Sequence, residues 1–280
     1  VSLEGINYPV QFCWKWDGEQ NSGGEVGPVY LRCDAGNPGE IYYDIEVVGA
    51  SEGKAMLTVF DTWGVDGYVI DNLSFKYILC PIWGNNNNTD PVVQNCTFEW
   101  QVCRMHTVTS EEPTEGYSII GDNIYCATKN AIIRNNYAYQ CSNLCTFENT
   151  EAGVSMGNYI VEGNLAENCG EGIRVIGALE NSFDKMILRD NMIIDMGDTY
   201  SLNCFERFYA ITICTTDPVQ FAKEIIIEDN VCVGSKYALI SMNESLDAEF
   251  KNNVFIQKGN GALMYLYDKF RWVWMKNAFE

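Results

Sequence analysis

The sequence of 280 residues contains a single histidine and few basic residues. Lysines and arginines number 18 against 38 aspartates and glutamates, so the formal net charge is −20 at pH 7. Nucleic-acid binding requires a basic surface that neutralises phosphates, and this composition therefore disfavours nucleic acid as a partner. The acidic excess also disfavours polyanionic substrates such as pectate, unless bound calcium reverses the local field.

Long apolar runs and paired cysteine motifs are also missing. No run of roughly 18 apolar residues occurs, so the sequence predicts no membrane-spanning helix. The 12 cysteines include no Cys-x-x-Cys motif and His106 is the only histidine, which argues against a zinc site. Four cysteines in or beside strand patterns favour free buried thiols in a reducing or anaerobic setting, with disulfides as the alternative. They are Cys96, Cys169, Cys214 and Cys232.

A repeat of short β-branched segments, each ending at asparagine, runs through most of the chain. One segment ends at Asn164 and the next at Asn191, with a glycine-bounded strand pattern over residues 172–177 between them. A strand, a corner asparagine, a second strand and a return loop at this period are typical of one coil of a parallel β-solenoid. The repeat predicts an all-β fold of about nine coils stacked about 4.8 Å apart. Similar segments cover residues 69–75, 92–98, 132–139, 225–231 and 249–255.

Asparagine suits a corner between strands because it tolerates left-handed φ and its amide bonds to backbone groups. Stacked from coil to coil, such side chains predict a hydrogen-bonded ladder. We expect Asn72 and Asn95 to belong to this ladder together with Asn164 and Asn191. The Asn-Asn pairs at 135–136 and 252–253 leave two alignments open, one residue apart.

The chain is predicted to form one structural domain with an irregular beginning. Residues 1–60 are expected to supply the strands that lead into the coil and a cap over its N-terminal end. Residues 61–280 are expected to form the β-helix, which continues past residue 280 if the chain is cut from a longer protein. Segments without a strand pattern are predicted as long loops on one side, where insertions often form the binding face; tolerated insertions are the alternative. These segments are 76–90, 100–115, 140–157, 197–208 and 215–223.

Several motifs between residues 28 and 255 resemble those of a known family. They are Val29-Tyr30-Leu31 followed by Asn37-Pro38, Asp71-Asn72-Leu73-Ser74-Phe75, Asn95-Cys96-Thr97-Phe98-Glu99-Trp100, and Ile133-Arg134-Asn135-Asn136-Tyr137 leading to Tyr139-Gln140. In these motifs the chain resembles the right-handed parallel β-helix proteins of the pectate-lyase-like superfamily, particularly bacterial β-helix glycoside hydrolases. The resemblance implies a right-handed β-helix, a carbohydrate ligand and an extracellular or cell-surface location. The chain departs from the family after Gln140, where Asn143 stands in the place of an aspartate.

Paired carboxylates are the feature that glycoside hydrolysis requires. The two carboxyls lie about 5 Å apart in retaining enzymes and about 6.5–9.5 Å apart in inverting ones. Coils stacked about 4.8 Å apart supply both separations, from neighbouring and from next-nearest coils. Glu171 is the leading candidate because Gly170 and Gly172 are expected to leave its side chain accessible. The acids that border the predicted loops are Glu99, Glu148, Glu151, Glu171, Asp195 and Glu206.

A polysaccharide lyase is the alternative enzyme. Its acids would bind calcium, and the calcium would bind the carboxylate of a uronate. An arginine or lysine would then remove the proton next to that carboxylate. Calcium is the one cofactor that the sequence suggests. Arg134, Arg174 and Arg189 lie in strand patterns of successive coils and would form a basic file for that purpose. Pairing with acids of neighbouring coils, such as Glu162 and Glu228, is the alternative interpretation of these arginines.

Aromatic residues at strand ends and in loops indicate carbohydrate contact, because exposed rings stack on sugar faces. Core packing is the alternative for most of them.

The predicted function is a glycoside hydrolase that cleaves a polysaccharide in a groove along the β-helix. A lyase, a non-catalytic glycan-binding or adhesin domain and a structural spacer remain open. Exposed strand edges also predict end-to-end or side-by-side self-association. The predicted substrate-binding residues are Trp63, Trp83, Trp100, Tyr139 and Arg174.

Overall fold

The structure, a computed structural model, contains only β-strands as regular elements in the residues it describes. No helix in that part of the chain is long and apolar enough to cross a membrane. The all-β prediction is therefore confirmed. The described residues are 10–14, 29–33, 58–62, 64–76, 78, 80–84, 89–100, 123–126, 129–149, 157–177, 183–197, 208–215, 222–243, 247–267, 271–275 and 278–279.

Short strands follow one another along the whole described chain. In chain order they are β1 (Val10–Trp14), β2 (Val29–Cys33), β3 (Thr58–Asp61), β4 (Val69–Asp71), β5 (Ser74–Lys76), β6 (Cys80–Gly84), β7 (Val92–Gln94), β8 (Thr97–Glu99), β9 (Ile124–Cys126), β10 (Ile132–Arg134), β11 (Tyr137–Tyr139), β12 (Cys145–Asn149), β13 (Asn158–Glu162), β14 (Leu165–Glu167), β15 (Ile173–Gly177), β16 (Phe183–Arg189), β17 (Met192–Met196), β18 (Tyr209–Thr215), β19 (Ala222–Glu228), β20 (Val231–Ser235), β21 (Ala238–Asn243), β22 (Asp247–Lys251), β23 (Val254–Ile256), β24 (Ala262–Tyr267), β25 (Arg271–Met275) and β26 (Ala278–Phe279).

Every third strand joins the same parallel sheet, which is the pairing of a β-helix. Sheet 1 has the order β4-β7-β10-β13-β16-β19-β22-β25, sheet 2 the order β5-β8-β11-β14-β17-β20-β23-β26, and sheet 3 the order β3-β6-β9-β12-β15-β18-β21-β24. Each coil contributes one strand to each sheet, and the predicted right-handed parallel β-helix is confirmed. Each sheet has eight strands in the part of the chain that the structure describes, so eight of the roughly nine predicted coils are seen there.

The chain divides into two compact units. Residues 58–104 and 120–280 form the β-helix unit, and residues 1–57 and 105–119 form the other. In the unit made of residues 1–57 and 105–119, β1 and β2 pair as an antiparallel ribbon. The predicted cap over the end of the helix stays a prediction.

The corner between sheets 1 and 2 is always two residues long, and its two positions have different tasks. The first residue has left-handed φ, between 52° and 64°. The second is buried on the coils from Cys96 to Asn253, whereas Leu73 on the first coil is 41% exposed. Asn72 and Asn95 occupy the first position and are exposed, so placing them in the ladder was wrong by one residue. The first-position residues are Asn72, Asn95, Asn135, Gly163, Asp190, Asp229 and Asn252.

A buried asparagine ladder occupies the second corner position and confirms the predicted stacking. The Asn164 amide Nδ2 donates to Asn191 Oδ1 at 2.9 Å and to the Ile133 carbonyl at 3.0 Å. The Asn164 backbone N–H donates to the same Asn191 Oδ1 at 3.1 Å. Each amide thus satisfies the backbone where two strands bend, which no core aliphatic residue could do. The ladder runs through Asn136, Asn164, Asn191, Asn230 and Asn253.

The interior of the coil is a stack of aliphatic, aromatic and thiol side chains. Phe75 and Phe98 stack with ring centroids 5.1 Å apart. Cys96, Cys169 and Cys232 are free and buried, which confirms the prediction for these three thiols, whereas the Cys214 side chain lies outside the described residues. Burial raises the pKa of Cys232 to about 12, so this thiol stays neutral at physiological pH.

Between the strands of the β-helix unit, the connections longer than two residues lie at the two ends of sheet 3, where the chain arrives from sheet 2 or leaves for sheet 1. Two of the segments predicted as loops contain a strand, because β6 lies within residues 76–90 and β12 within residues 140–157. Those two loop predictions were wrong in part. Most of the other three segments lies outside the described residues.

Candidate functional site

The outer face of sheet 2 collects the largest group of predicted site residues. In strands such as β8, β11 and β14 the middle residue is buried and the first and third side chains are turned outward. Glu99 pairs in register with Tyr139, and Tyr139 with Glu167. Strand pairing therefore places two carboxylates on either side of a tyrosine on one surface.

Three aromatic rings stand together on this face. The Tyr137 and Tyr139 rings lie 6.4 Å apart between centroids with planes inclined by 19°. Trp100 meets Tyr139 edge to face, with centroids 5.4 Å apart and an interplanar angle of 87°. Trp100 is 36% exposed, so part of the ring is available to a ligand.

The backbone at Trp100 is in an unusual conformation for its residue type. Its φ is 55°, in the left-handed region, which bulky residues rarely adopt. The equivalent corner positions on the following coils carry Gln140, Asn168 and Asp195, also with positive φ, and then Gly234. Holding a bulky side chain there costs on the order of 1 kcal/mol, and such strain tends to occur at functional sites.

The two carboxylates of this face each have a fixed partner. Lys76 Nζ lies 2.5 Å from Glu99 Oε2. The Tyr137 hydroxyl donates to Glu167 Oε2 at 2.9 Å. Burial, and then the neighbouring Glu167 carboxylate, raise the pKa of Tyr137, so its hydroxyl remains a donor at neutral pH. Equivalent positions two strands apart are about 9.6 Å apart along the sheet.

Three of the five residues of this group were predicted from the sequence as site residues, and Tyr137 and Glu167 were not. Glu99, Trp100 and Tyr139 were predicted, and the structure brings them together. Glu167 was not predicted, although it stands in Leu165-Ala166-Glu167 where the earlier coil has Thr97-Phe98-Glu99. Alignment of the coils by their ladder residues would have revealed it.

Glu171 lies away from that face, in the turn that enters sheet 3. The expectation that its flanking glycines leave it accessible was wrong, because Glu171 is only 4% exposed. A side chain at Gly170 would approach the Ser142 carbonyl to 2.7 Å, and one at Gly172 would clash with the Ala210 carbonyl. The glycines thus permit close packing of neighbouring coils. The catalytic role of Glu171 stays a prediction.

Arg174 lies beside Glu171, with Nε 3.7 Å from Glu171 Oε2. It belongs to the outward file of sheet 3 that runs in register from Asp61 through Trp83, Tyr125 and Thr146 to Arg174. Trp83 and Tyr125 stack with centroids 4.1 Å apart and planes inclined by 7°, so each ring covers a face of the other. Thr146, between Tyr125 and Arg174 in the file, is fully buried. Trp83 and Arg174 are therefore separated by two strands and do not form one ligand surface.

Asn143, at the position where the proteins that the chain resembles carry an aspartate, is buried near this file. Its Nδ2 donates to the Thr146 hydroxyl at 2.8 Å, and its backbone carbonyl accepts from Asn123 Nδ2 at 2.5 Å. These bonds tie the turn after β11 to β12, and they give Asn143 a structural task in this chain.

Asp195 occupies a left-handed corner with φ of 58°, at the end of sheet 2 nearest sheet 3. Its carboxylate accepts from Lys258 Nζ at 2.8 and 3.1 Å across Gly234. The corner of Asp195 is three strand spacings, about 14 Å, from that of Trp100. Asp195 therefore does not form a catalytic pair with Glu99.

Asp195→Asn is expected to change the free energy of unfolding by less than about 1 kcal/mol, because exposed ion pairs contribute little. Urea unfolding monitored by circular dichroism measures the difference. Lys258→Gln, which breaks the same pair from the other side, should have an equally small effect. A loss well above that size in only one variant would show that Asp195 has a further role.

The predicted basic file does not exist. Arg134 and Arg189 lie on sheet 1, whereas Arg174 lies on sheet 3. Glu162 stands between Arg134 and Arg189 in register and accepts from Arg189 at 2.6 and 2.8 Å. Arg134 Nε donates to Gln94 Oε1 at 2.8 Å. The alternative, pairing within the coil stack, is confirmed for Arg189.

Some predicted residues fall outside the part of the chain that the structure describes. Trp63, Glu151 and Glu206 are among them. Glu148 lies in β12 opposite Ile176, and its side chain is not described. Among described residues, no group of three or more histidines, cysteines, aspartates or glutamates could hold a metal ion. A calcium site stays a prediction.

The chemistry of the sheet 2 face is thus the main basis for a functional assignment. It combines a strained, exposed tryptophan, two tyrosines and two partnered carboxylates on a rigid parallel sheet. Comparison of the chain with protein-family models, curated proteins and solved structures finds no match.

Proposed function

We propose that this protein binds a neutral glycan on the outer face of sheet 2. Trp100 and Tyr139 supply ring surfaces for sugar C–H groups, and Glu99 and Glu167 accept hydrogen bonds from sugar hydroxyls. The single observation that carries the proposal is Trp100, held in left-handed φ and 36% exposed against Tyr139. A merely structural corner would be better served by the glutamine, asparagine, aspartate or glycine found on the next coils.

Charge narrows the class of glycan. Two carboxylates on the binding face and a net charge of −20 repel uronates and sulfated sugars. Neutral sugars meet no such penalty, and their hydroxyl groups match the acceptors present. The resemblance to the pectate-lyase-like superfamily supports a carbohydrate ligand. Membership in that superfamily and an extracellular or cell-surface location belong to the same proposal.

Trp100→Ala and Tyr139→Ala are each expected to weaken glycan binding by about tenfold or more, because buried aromatic anchors dominate such interfaces. Calorimetry with neutral oligosaccharides (xylan, glucan, mannan and chitin fragments) and with oligogalacturonate measures the effect. Tyr125→Ala is the matched control, because Tyr125 is an outward ring on sheet 3. Failure of the protein to bind any neutral glycan, or equal affinity in Trp100→Ala, would refute the proposal.

Glycoside hydrolysis with inversion is the second candidate, favoured by the separation of Glu99 and Glu167. Two strand spacings place their backbones about 9.6 Å apart, close to the upper end of the separation in inverting enzymes. Glu99 lies beside the Lys76 ammonium, and Glu167 accepts from the Tyr137 hydroxyl. In this mechanism Glu99 would act as the general base and Glu167 as the general acid.

Glu99→Gln and Glu167→Gln are each expected to abolish release of reducing sugar, by a factor of at least about 100, if hydrolysis occurs. Both variants should retain glycan binding, because an amide oxygen still accepts hydrogen bonds. Glu162→Gln, an outward acid on sheet 1, is the control. If the native protein binds a glycan but releases no reducing sugar, the result would support glycan binding as the only function.

A further inference from the structure

The outer face of sheet 1 carries an aliphatic file beside a file of alternating charge. Val92, Ile132, Ile160, Ile187 and Ile226 follow one another in register and are half-buried. Glu249, which is paired with Lys251, comes next in the same file. Val69 precedes them and is 60% exposed. The core lies on the opposite side of the sheet, so these outward side chains are not needed to fill it. The neighbouring file is Asp71, Gln94, Arg134, Glu162, Arg189, Glu228 and Lys251.

This charge file is balanced, in contrast to the rest of the chain. It contains three acids and three bases, which sum to zero, whereas the whole chain carries −20. Two copies of the protein repel each other over most of their surface, but not along this charge file. A partner for this face needs an apolar strip next to a row of alternating charges. A second copy of the same face has both features.

We propose that sheet 1 binds a second copy of this chain, face to face, with the two coil axes antiparallel. The two-fold axis lies parallel to the strands and midway between β13 and β16, at the centre of the eight-stranded sheet. This axis brings Ile160 of one copy against Ile187 of the other and Ile132 against Ile226, so that the aliphatic files meet at the centre. Towards the ends, Val92 lies opposite Glu249, which is paired with Lys251 of its own chain. All eight strands of the sheet then lie opposite a strand of the second copy.

The same axis pairs the charges across the interface. Glu162 faces Arg189 of the other copy, and Arg134 faces Glu228, each pair occurring twice by symmetry. Moving the axis onto β13 would put Glu162 opposite itself and Arg134 opposite Arg189. Moving it midway between β10 and β13 would put Asp71 opposite Glu228. Like-charge contacts thus disfavour the neighbouring registers.

Sheet 2 does not offer an equivalent self-complementary face. The same operation there would bury Glu167 against Ile194 and Glu99 against Ile256. Both carboxylates would lie against aliphatic side chains of the other copy with no cation of that copy opposite them, which is unfavourable. The dimer therefore leaves the sheet 2 site free, and its failure would not affect the proposed glycan binding.

The size of the face predicts a weak, reversible dimer. Seven strand spacings give a length of about 34 Å, and strands of a few residues bury roughly 500 Å² on each copy. That is near the lower limit for a specific interface. Several of the charges also have partners within their own chain, such as Arg189 with Glu162, which reduces the gain on association.

Sedimentation velocity from about 1 to 200 μM, at about 0.15 M salt, should show a monomer–dimer equilibrium. The double variant Ile160→Thr/Ile187→Thr keeps β-branched residues and should raise the dissociation constant at least about tenfold. Ile194→Thr/Val233→Thr, two outward aliphatic residues on sheet 2, is the matched control and should dimerise normally. A chain that remains monomeric, or dimerisation lost only in the sheet 2 variant, would overturn the proposal.

The register has its own test by charge exchange. Glu162→Arg alone and Arg189→Glu alone should each lose dimerisation, because each places like charges opposite one another. An equimolar mixture of the two variants restores both pairs across the interface and should form a heterodimer within about tenfold of the native affinity. Folding of each variant is verified by circular dichroism. Absence of a heterodimer from two folded variants would overturn the proposed axis.

Discussion

Replacement of Asn191 by alanine is expected to lower the free energy of unfolding by about 3–5 kcal/mol. The Asn191 amide is in the middle of the ladder and fully enclosed. Its Oδ1 accepts from the backbone N–H and the Nδ2 of Asn164, and its own Nδ2 donates to the Val161 carbonyl at 2.9 Å. Alanine would remove partners from all three groups at a depth where water does not replace them.

Urea unfolding followed by circular dichroism measures this loss. Asn158→Ala is the control, because Asn158 is an exposed asparagine in the adjoining strand and its replacement should cost less than about 0.5 kcal/mol. Asn191→Ser, with a shorter polar side chain, should be almost as damaging, since it cannot span both neighbouring coils. A loss below about 1 kcal/mol in Asn191→Ala would show that the ladder contributes little to stability.

Arg174→Met is expected to destabilise the protein by about 3 kcal/mol, because it leaves the Glu171 carboxylate buried without its cation. The two side chains are 16% and 5% exposed, so water screens the pair poorly. Methionine has a comparable length and preserves much of the packing of the arginine stem. The lost charge, and not lost volume, is therefore the cause of the effect.

Two further variants separate that cause from its alternatives. Glu171→Gln/Arg174→Met removes the buried charge and should recover about 1–2 kcal/mol relative to Arg174→Met. Arg189→Met breaks an exposed pair with Glu162 and should cost less than about 1 kcal/mol in dilute solution. If the double variant is no more stable than Arg174→Met, the buried charge is not the reason for the loss.

The one-residue error in the ladder has a simple physical origin. Both positions of the two-residue corner favour asparagine, the first for its left-handed φ and the second for its amide. In Asn135-Asn136 and Asn252-Asn253 both are asparagine, so the local sequence is ambiguous. Burial resolves the choice, since the second residue is enclosed between coils and the first is exposed.

Glu171 shows the limit of reasoning from immediate neighbours in the sequence. Adjacent glycines remove local bulk and therefore predict an accessible side chain. The space that they leave is filled by the Ser142 and Ala210 carbonyls of the coils on either side. Contacts between coils, separated by many residues in the chain, decided the burial of this side chain.

The sequence by itself determined the repeating strands, the corners and the stacking of asparagines, because these depend on residue type at short spacing. Only the tertiary structure decided which residues share a surface. Connections next to sheet 3 vary in length from coil to coil, so the position of Glu167 relative to Glu99, or of Arg189 relative to Glu162, is not set by a constant spacing. Backbone pairing between coils sets that register, and with it the faces that we propose to bind a glycan and a second copy of the chain.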